Sequence, residues 1–219
     1  MASKLTVNRK LLISYYIFLG VGIVLLILHS KTELFKLLTF NGGQIVDFFF
    51  KGITSLGNGL FAFIFALLAG FKKIRYALYL FITYSFSGIL TQLLKRLVFP
   101  DALRPMKYFS ELGETLTAIS GYENHFFYSF PSGHTATAFA VYFGLAFVVR
   151  NGYLKYALLF LSILVGYSRI YLLEHFPEDV LAGSLVGVLT VILFYPIVFS
   201  WKKSWLDYSY MHLIKIKNE

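Results

Sequence analysis

From Leu11 to His29 the chain offers almost nothing but apolar side chains, and similar blocks recur along most of its length. About 20 consecutive apolar residues are what a helix needs to cross the hydrocarbon core of a bilayer. At 58% hydrophobic and 14% charged residues, the 219-residue chain is too apolar for a soluble domain of its size. The blocks predict six spans, at about 11–29, 58–71, 76–99, 131–149, 154–173 and 177–199. The first follows Lys4, Arg9 and Lys10, as a signal peptide would. Its apolar run is long and no small-residue cleavage site follows, so it reads as an uncleaved span. Between the first two spans, apolar and charged residues mix over 30–57, which predicts short amphipathic helices in the interface, broken at Asn41-Gly42-Gly43. The expected fold is all-α: a single domain over 1–219, a six-transmembrane-helix bundle with short interfacial helices.

Charge orients this bundle. The N-terminus, the 72–75 turn, the 150–155 turn and the tail hold 12 Lys and Arg against 2 Asp and Glu; the opposite loops hold 8 against 9. The positive-inside rule then puts both termini in the cytoplasm and the loop around His175 outside. The net charge of +9 is therefore read as membrane topology, and nucleic acid is not expected as a partner. With no cysteine, thiolate chemistry and disulfides are excluded. Gly183 with Gly187, and Ala136 with Ala140 and Gly144, are spaced to let helices approach closely.

Three polar islands fall at the outer ends of predicted spans: Lys95 with Arg104-Pro105, Pro131-Ser132-Gly133-His134, and Ser168-Arg169 through His175 to Asp179. Charge beside a membrane span is costly and invites a functional explanation. Lys95, Arg104 and Arg169 supply three cations. Ser132 supplies a hydroxyl, and Gly133 lets backbone approach a ligand. A span that starts at Pro131-Ser132 also offers helix N-terminal N–H groups to an anion. Together these predict a phosphate site at the extracytoplasmic membrane surface. A carboxylate four residues after a histidine can hold one ring N–H and leave the other nitrogen free to attack, so His175 with Asp179 reads as the nucleophile pair. His134 then serves as acid for the leaving group. No His, Glu or Cys cluster has metal-ligand spacing, so no metal or other cofactor is expected.

These residues resemble the phosphatidic acid phosphatase type 2 superfamily. Its Ser-Arg, five residues, His, three residues, Asp pattern is met by Ser168, Arg169, His175 and Asp179, and its Pro-Ser-Gly-His by residues 131–134. Its Lys, six residues, Arg-Pro pattern is not met: eight residues separate Lys95 from Arg104-Pro105. Either the loop carries an insertion or Arg96 takes the cation's place. The resemblance implies a metal-independent membrane phosphatase of a bacterial inner membrane. It implies a phosphohistidine on His175, orientation by Asp179, and proton transfer by His134. The implied lipid substrates are undecaprenyl diphosphate, phosphatidylglycerophosphate, phosphatidic acid or a lipid A phosphate, with a polyprenyl carrier first among them. A lipid phosphotransferase with the same phosphoenzyme, and a non-catalytic lipid-binding membrane protein, are the alternatives.

The remaining candidates have plainer readings. His29, His125 and His212 are expected to be solvated or structural. Glu174 and Glu178 are not assigned to catalysis, and Glu178 just after Pro177 suits a helix N-terminus. Phe48, Phe49 and Phe50 are expected to touch lipid.

Overall fold

The computed structural model describes residues 8–212 and 214. Lys4, Lys215 and Lys217, which the charge reading uses, lie outside them. Among the described residues every regular element is helical. Helix α1 is Arg9–Leu28, α2 Lys31–Leu38, α3 Gly43–Ser55, α4 Gly59–Ala69, α5 Ile74–Val98, α6 Pro105–Glu111, α7 Gly133–Val148, α8 Gly152–Tyr171 and α9 Pro177–Ser200. Helices α1, α5, α8 and α9 are long and apolar enough to cross a membrane; α3 and α4, bent by 59° at their junction, make a fifth candidate if taken as one. Helix α7 is apolar but shorter. Four or five candidate spans thus stand where six were expected.

The reason lies in where α7 sits. Residues 135–144 are buried without interruption, because α5, α8 and α9 surround the helix. A helix sheathed in protein need not match the bilayer thickness. Phe139, Tyr142 and Phe143 on α7 pack with Tyr15 of α1 and Tyr79 and Leu80 of α5 into the main core. Helix α1 is peripheral: Ile17, Val24, Ile27 and Leu28 are exposed along it, as side chains facing lipid would be.

The small-residue faces make the closest contacts. A Cβ on Gly183 would stand 2.5 Å from the Ser132 carbonyl oxygen, and one on Gly187 2.6 Å from that of Ala136. Helix α9 therefore lies against the backbone of α7, and the peptide N–H of Ser132 donates to the Asp179 carbonyl at 2.9 Å. The Ala136, Ala140 and Gly144 spacing belongs to the same region: a Cβ on Gly187 would also stand 3.0 Å from Ala140 N, and one on Gly144 would meet Leu80 at 3.1 Å and Val191 at 3.3 Å.

The segment 30–57 forms the two expected short helices, with the break at Gly43 in the left-handed region (φ 74°). Ser30 and Glu33 cap α2 reciprocally. Helix α2 then lies over the start of α9, where Lys31 pairs with Glu178 at 2.9 Å and Phe35 packs on Phe109 and Phe176. Of the three phenylalanines, Phe48 and Phe49 are exposed, but Phe50 is buried on Tyr171 with ring centroids 4.3 Å apart.

The α7–α9 contact is testable. Gly183→Val should lower stability by about 3 kcal/mol, since the clash is with backbone that cannot rotate away. Gly88→Ala, where a Cβ meets nothing within 4 Å, should leave the detergent Tm unchanged.

Candidate active site

The end of α8 sets the geometry. The helix closes in a Schellman turn: Leu173 N–H donates to Ile170 O at 3.0 Å and Glu174 N–H to Arg169 O at 2.9 Å. The left-handed position, usually glycine, is Leu173 (φ 58°), whose side chain is buried against its neighbours. The span expected to run to 173 thus ends at Tyr171, because a left-handed leucine gives no signal in sequence. The turn folds the chain back so that His175 N–H also reaches Arg169 O, at 3.1 Å. Arg169 and His175 therefore share one small volume.

Pro177 opens α9, and Asp179 in its first turn accepts the Phe176 N–H at 2.9 Å. The same Oδ2 accepts the Ser129 hydroxyl at 2.5 Å and the His175 Nδ1–H at 3.3 Å. Ser129 Oγ lies 3.3 Å from the same Nδ1. The ring's Nδ1 is committed to this pair, which leaves Nε2 as the nitrogen with a free lone pair. His175 is 1% exposed. Burial first, and then the charges of Arg104, Arg169 and Lys95, push its pKa well below the ordinary histidine value. It is a neutral imidazole at neutral pH.

The cations surround it. Lys95 is buried in a π-helical turn, Leu94–Val98, and its ammonium donates to the backbone carbonyls of Tyr128 and Ser129, the latter at 3.1 Å. Arg96, the alternative, is exposed and points away, beside Gln92 and Leu97. Arg104 precedes α6, donates through Nε to Phe127 O at 2.9 Å and through Nη1 to Glu174. Arg169 donates to Thr54 Oγ1 at 2.6 Å and Tyr122 OH at 2.9 Å, and its Nη2 lies 3.3 Å from Glu174 Oε2. Its Nε is buried with no partner among the described residues.

Gly133 and His134 occupy the first turn of α7, whose leading N–H groups have no intrahelical acceptor. Gly183 packed on Ser132 and Gly57 packed on His134 fix this turn against α9 and the α3–α4 bend. Ser132 is fixed in the wall of the site by its neighbours. Its hydroxyl accepts from Thr135 at 2.9 Å, its N–H is spent on Asp179, and the residue is fully buried. The bond from Thr135 leaves the Ser132 hydroxyl proton unspent.

Four participants went unread in the sequence. Ser129, Thr54 and Tyr122 lie outside the motifs and touch His175, Asp179 or Arg169 only through the fold. Glu174 is the fourth: fully buried, it is paired with both arginines and, at 3.1 Å, with the exposed His125. A buried carboxylate between guanidinium groups is where an anion belongs.

All these side chains sit at one end of the bundle, and the helices bearing them are membrane-spanning in character. The fold and site define an integral membrane helical bundle with a histidine–carboxylate couple among buried cations. Residues 75–203 match the PAP2 superfamily, and the chain belongs to that family. It is 37% identical over 121 residues to the lipid A 1-phosphatase of Rhizobium etli, covering 53% of this chain and 49% of that one. It is 37% identical over 67 residues to undecaprenyl-diphosphatase BcrC of Bacillus subtilis, covering 31% and 34%. The chain thus spans about half the length, or less, of these relatives. Among solved structures, LpxE of Aquifex aeolicus superposes with a TM-score of 0.62 at 29% identity, over 78% of this chain and 94% of that one. A PAP2 type phosphatidylglycerolphosphate phosphatase of Bacillus subtilis superposes at 0.63 and 23% identity, over 88% and 98%, a likeness of fold.

The buried neutral imidazole has a thermodynamic signature. Unfolded histidine binds a proton near pH 6.5, which the folded site refuses, so stability should fall as pH drops below about 6.5. His175→Gln should flatten that part of the stability-against-pH curve measured by chemical denaturation.

Proposed function

We propose that this protein is a metal-independent lipid phosphatase that works through a phosphohistidine. The observation that carries the reading is His175: a neutral imidazole, Nδ1 held by Asp179 and Ser129, beside Arg104, Arg169 and Lys95. In the first step Nε2 of His175 bonds to phosphorus as the bond to the lipid oxygen breaks. His134 donates the proton that the departing oxygen needs. In the second step His134 takes a proton from water, whose oxygen displaces His175 and releases inorganic phosphate. Lys95, Arg104, Arg169 and the N–H groups at Gly133 neutralise charge on the phosphoryl oxygens. Those cations do the work a metal would otherwise do.

In this reading Glu174 holds the two arginines apart until phosphate arrives and takes over their hydrogen bonds. The bend at α3–α4 and the buried α7 each count as one crossing, which restores six spans. Both termini then lie in the cytoplasm and the site faces outward from a bacterial inner membrane. Phe126, Phe127 and Tyr128, all exposed, dip into the bilayer edge and bring the site to an amphiphile's head group. A lipid A-type glycolipid 1-phosphate is the first substrate to test, because that relative matches about half the chain. Undecaprenyl diphosphate, whose relative matches a third, comes second.

The test is phosphate release in detergent from lipid A, polyprenyl diphosphate, phosphatidylglycerophosphate and phosphatidic acid. Release should survive EDTA, be blocked by vanadate, and fall about a thousandfold or more in His175→Ala. A requirement for a divalent ion would sink the scheme. Glu174→Gln should cost about 3–5 kcal/mol by stranding two buried guanidinium groups. Millimolar inorganic phosphate should then raise the Tm of Glu174→Gln more than that of the parent.

A further inference from the structure

A second cluster of cations sits at the other end of the bundle, and the chemistry above does not use it. A cavity of about 530 Å³ opens there between the starts of α5 and α8 and the ends of α7 and α9, with Lys73, Arg75, Arg150 and Lys155 on its walls. Helix α9 alone runs 24 residues from the His175 end to this one. At 1.5 Å per residue the two places are roughly 35 Å apart.

The charges do not balance. Asp207 is the one carboxylate on the cavity wall among the described residues. Its Oδ1 takes Lys73 Nζ at 3.0 Å and Arg75 Nε at 3.3 Å, and its Oδ2 takes Arg75 Nη2 at 2.7 Å. Hydrogen bonds from Arg75, foremost, hold its pKa down at about 2, so it is fully ionised and fully engaged. Arg75 also donates to the Val198 and Trp201 carbonyls at the end of α9, which accounts for its burial as a helix cap. Lys155 has no such account. It is 8% exposed, and its ammonium rests on the neutral amide oxygen of Asn8, itself 1% exposed. Among the described residues this buried ammonium has only an amide for company, which is electrostatically incomplete. Arg150 beside it is exposed and adds to the excess. Four cations face one anion.

The other wall is aromatic. Tyr195 and Phe199 stack at 4.5 Å, and Tyr76 lies 6.2 Å from Phe199. A small free anion has no use for this surface, whereas the glycerol and upper chains of a lipid do. We propose that this cavity binds the phosphate head group of an anionic phospholipid, with Lys155 and Arg150 on the phosphate and the aromatic wall against the lipid body. On the positive-inside reading this is the cytoplasmic leaflet, where anionic head groups and basic pockets between spans meet. The proposal does not rest on the phosphatase reading.

The chain carries its own probe. Its only two tryptophans are Trp201, whose carbonyl Arg75 holds, and Trp205, in the turn that presents Asp207. Tryptophan emission of the full-length protein is followed in phosphatidylcholine nanodiscs as phosphatidylglycerol replaces the host lipid. A parallel series keeps pure phosphatidylcholine and adds inorganic phosphate. The expected result is a saturable change with phosphatidylglycerol and none with phosphate. Arg150→Gln should raise the half-saturating fraction about fivefold or more, and Lys155→Gln should abolish the change. Arg150 is exposed, so its variant decides the matter even if the buried substitution does not fold. Lys202→Gln, an exposed cation off the cavity wall, should titrate like the parent, and so should His175→Ala. The proposal is overturned if phosphatidylglycerol has no effect, if Arg150→Gln titrates like the parent, or if Lys202→Gln shifts the curve as far as Arg150→Gln. A full response to inorganic phosphate alone, with none further from lipid, overturns the lipid assignment.

Discussion

Asp179 is the knot on which the rest of the site hangs. Its carboxylate accepts the N–H that starts α9, the hydroxyl of Ser129 and the Nδ1–H of His175, while its carbonyl takes the N–H of Ser132. One residue therefore joins the start of α9, the start of α7, the polar loop and the histidine. The glycines at 183 and 187 make this possible, because side chains there would hold α7 and α9 apart. Close packing in the membrane and proton geometry at its surface are thus one problem with one solution.

Electrostatics explains the second tier. Lys95, Arg104 and Arg169 stand against Glu174 and Asp179, so the site holds one positive charge more than its carboxylates match. Without Glu174, buried Lys95 and Arg169 and half-buried Arg104 would repel one another at an effective dielectric well below that of water. With Glu174 the arginines are held in place, while burial and the neighbouring cations keep His175 neutral rather than protonated. The backbone carbonyls of Phe127, Tyr128 and Ser129 do the remaining positioning, and Tyr128 accepts a left-handed backbone (φ 56°) as part of that arrangement.

Much of this was legible in the sequence. The apolar blocks located the helices to within a few residues, the break at Gly43 fell where Asn41-Gly42-Gly43 put it, and the glycine stripe marked a real contact. The motif histidines, cations and carboxylate come together at one end, as their positions at span ends required. What was not legible depends on tertiary direction. Ser129 looks like any loop serine until the 126–130 strand of chain folds beside Asp179. Thr54 looks like part of an interfacial helix until the α3–α4 bend aims it at Arg169. Glu174 was not assigned to catalysis, because nothing in its sequence position names a partner. Its value shows only once both arginines are seen to need a partner.

The loop that carries Phe126, Phe127 and Tyr128 turns its rings outward and its carbonyls inward, toward Arg104 and Lys95. Whatever those rings rest in is therefore mechanically linked to the placement of two charges beside His175. On the proposed reading, in which these rings dip into the bilayer edge, the fluidity and thickness of the surrounding leaflet become part of the site's own framework, so a change in membrane composition would be felt at the imidazole without any ligand passing between them.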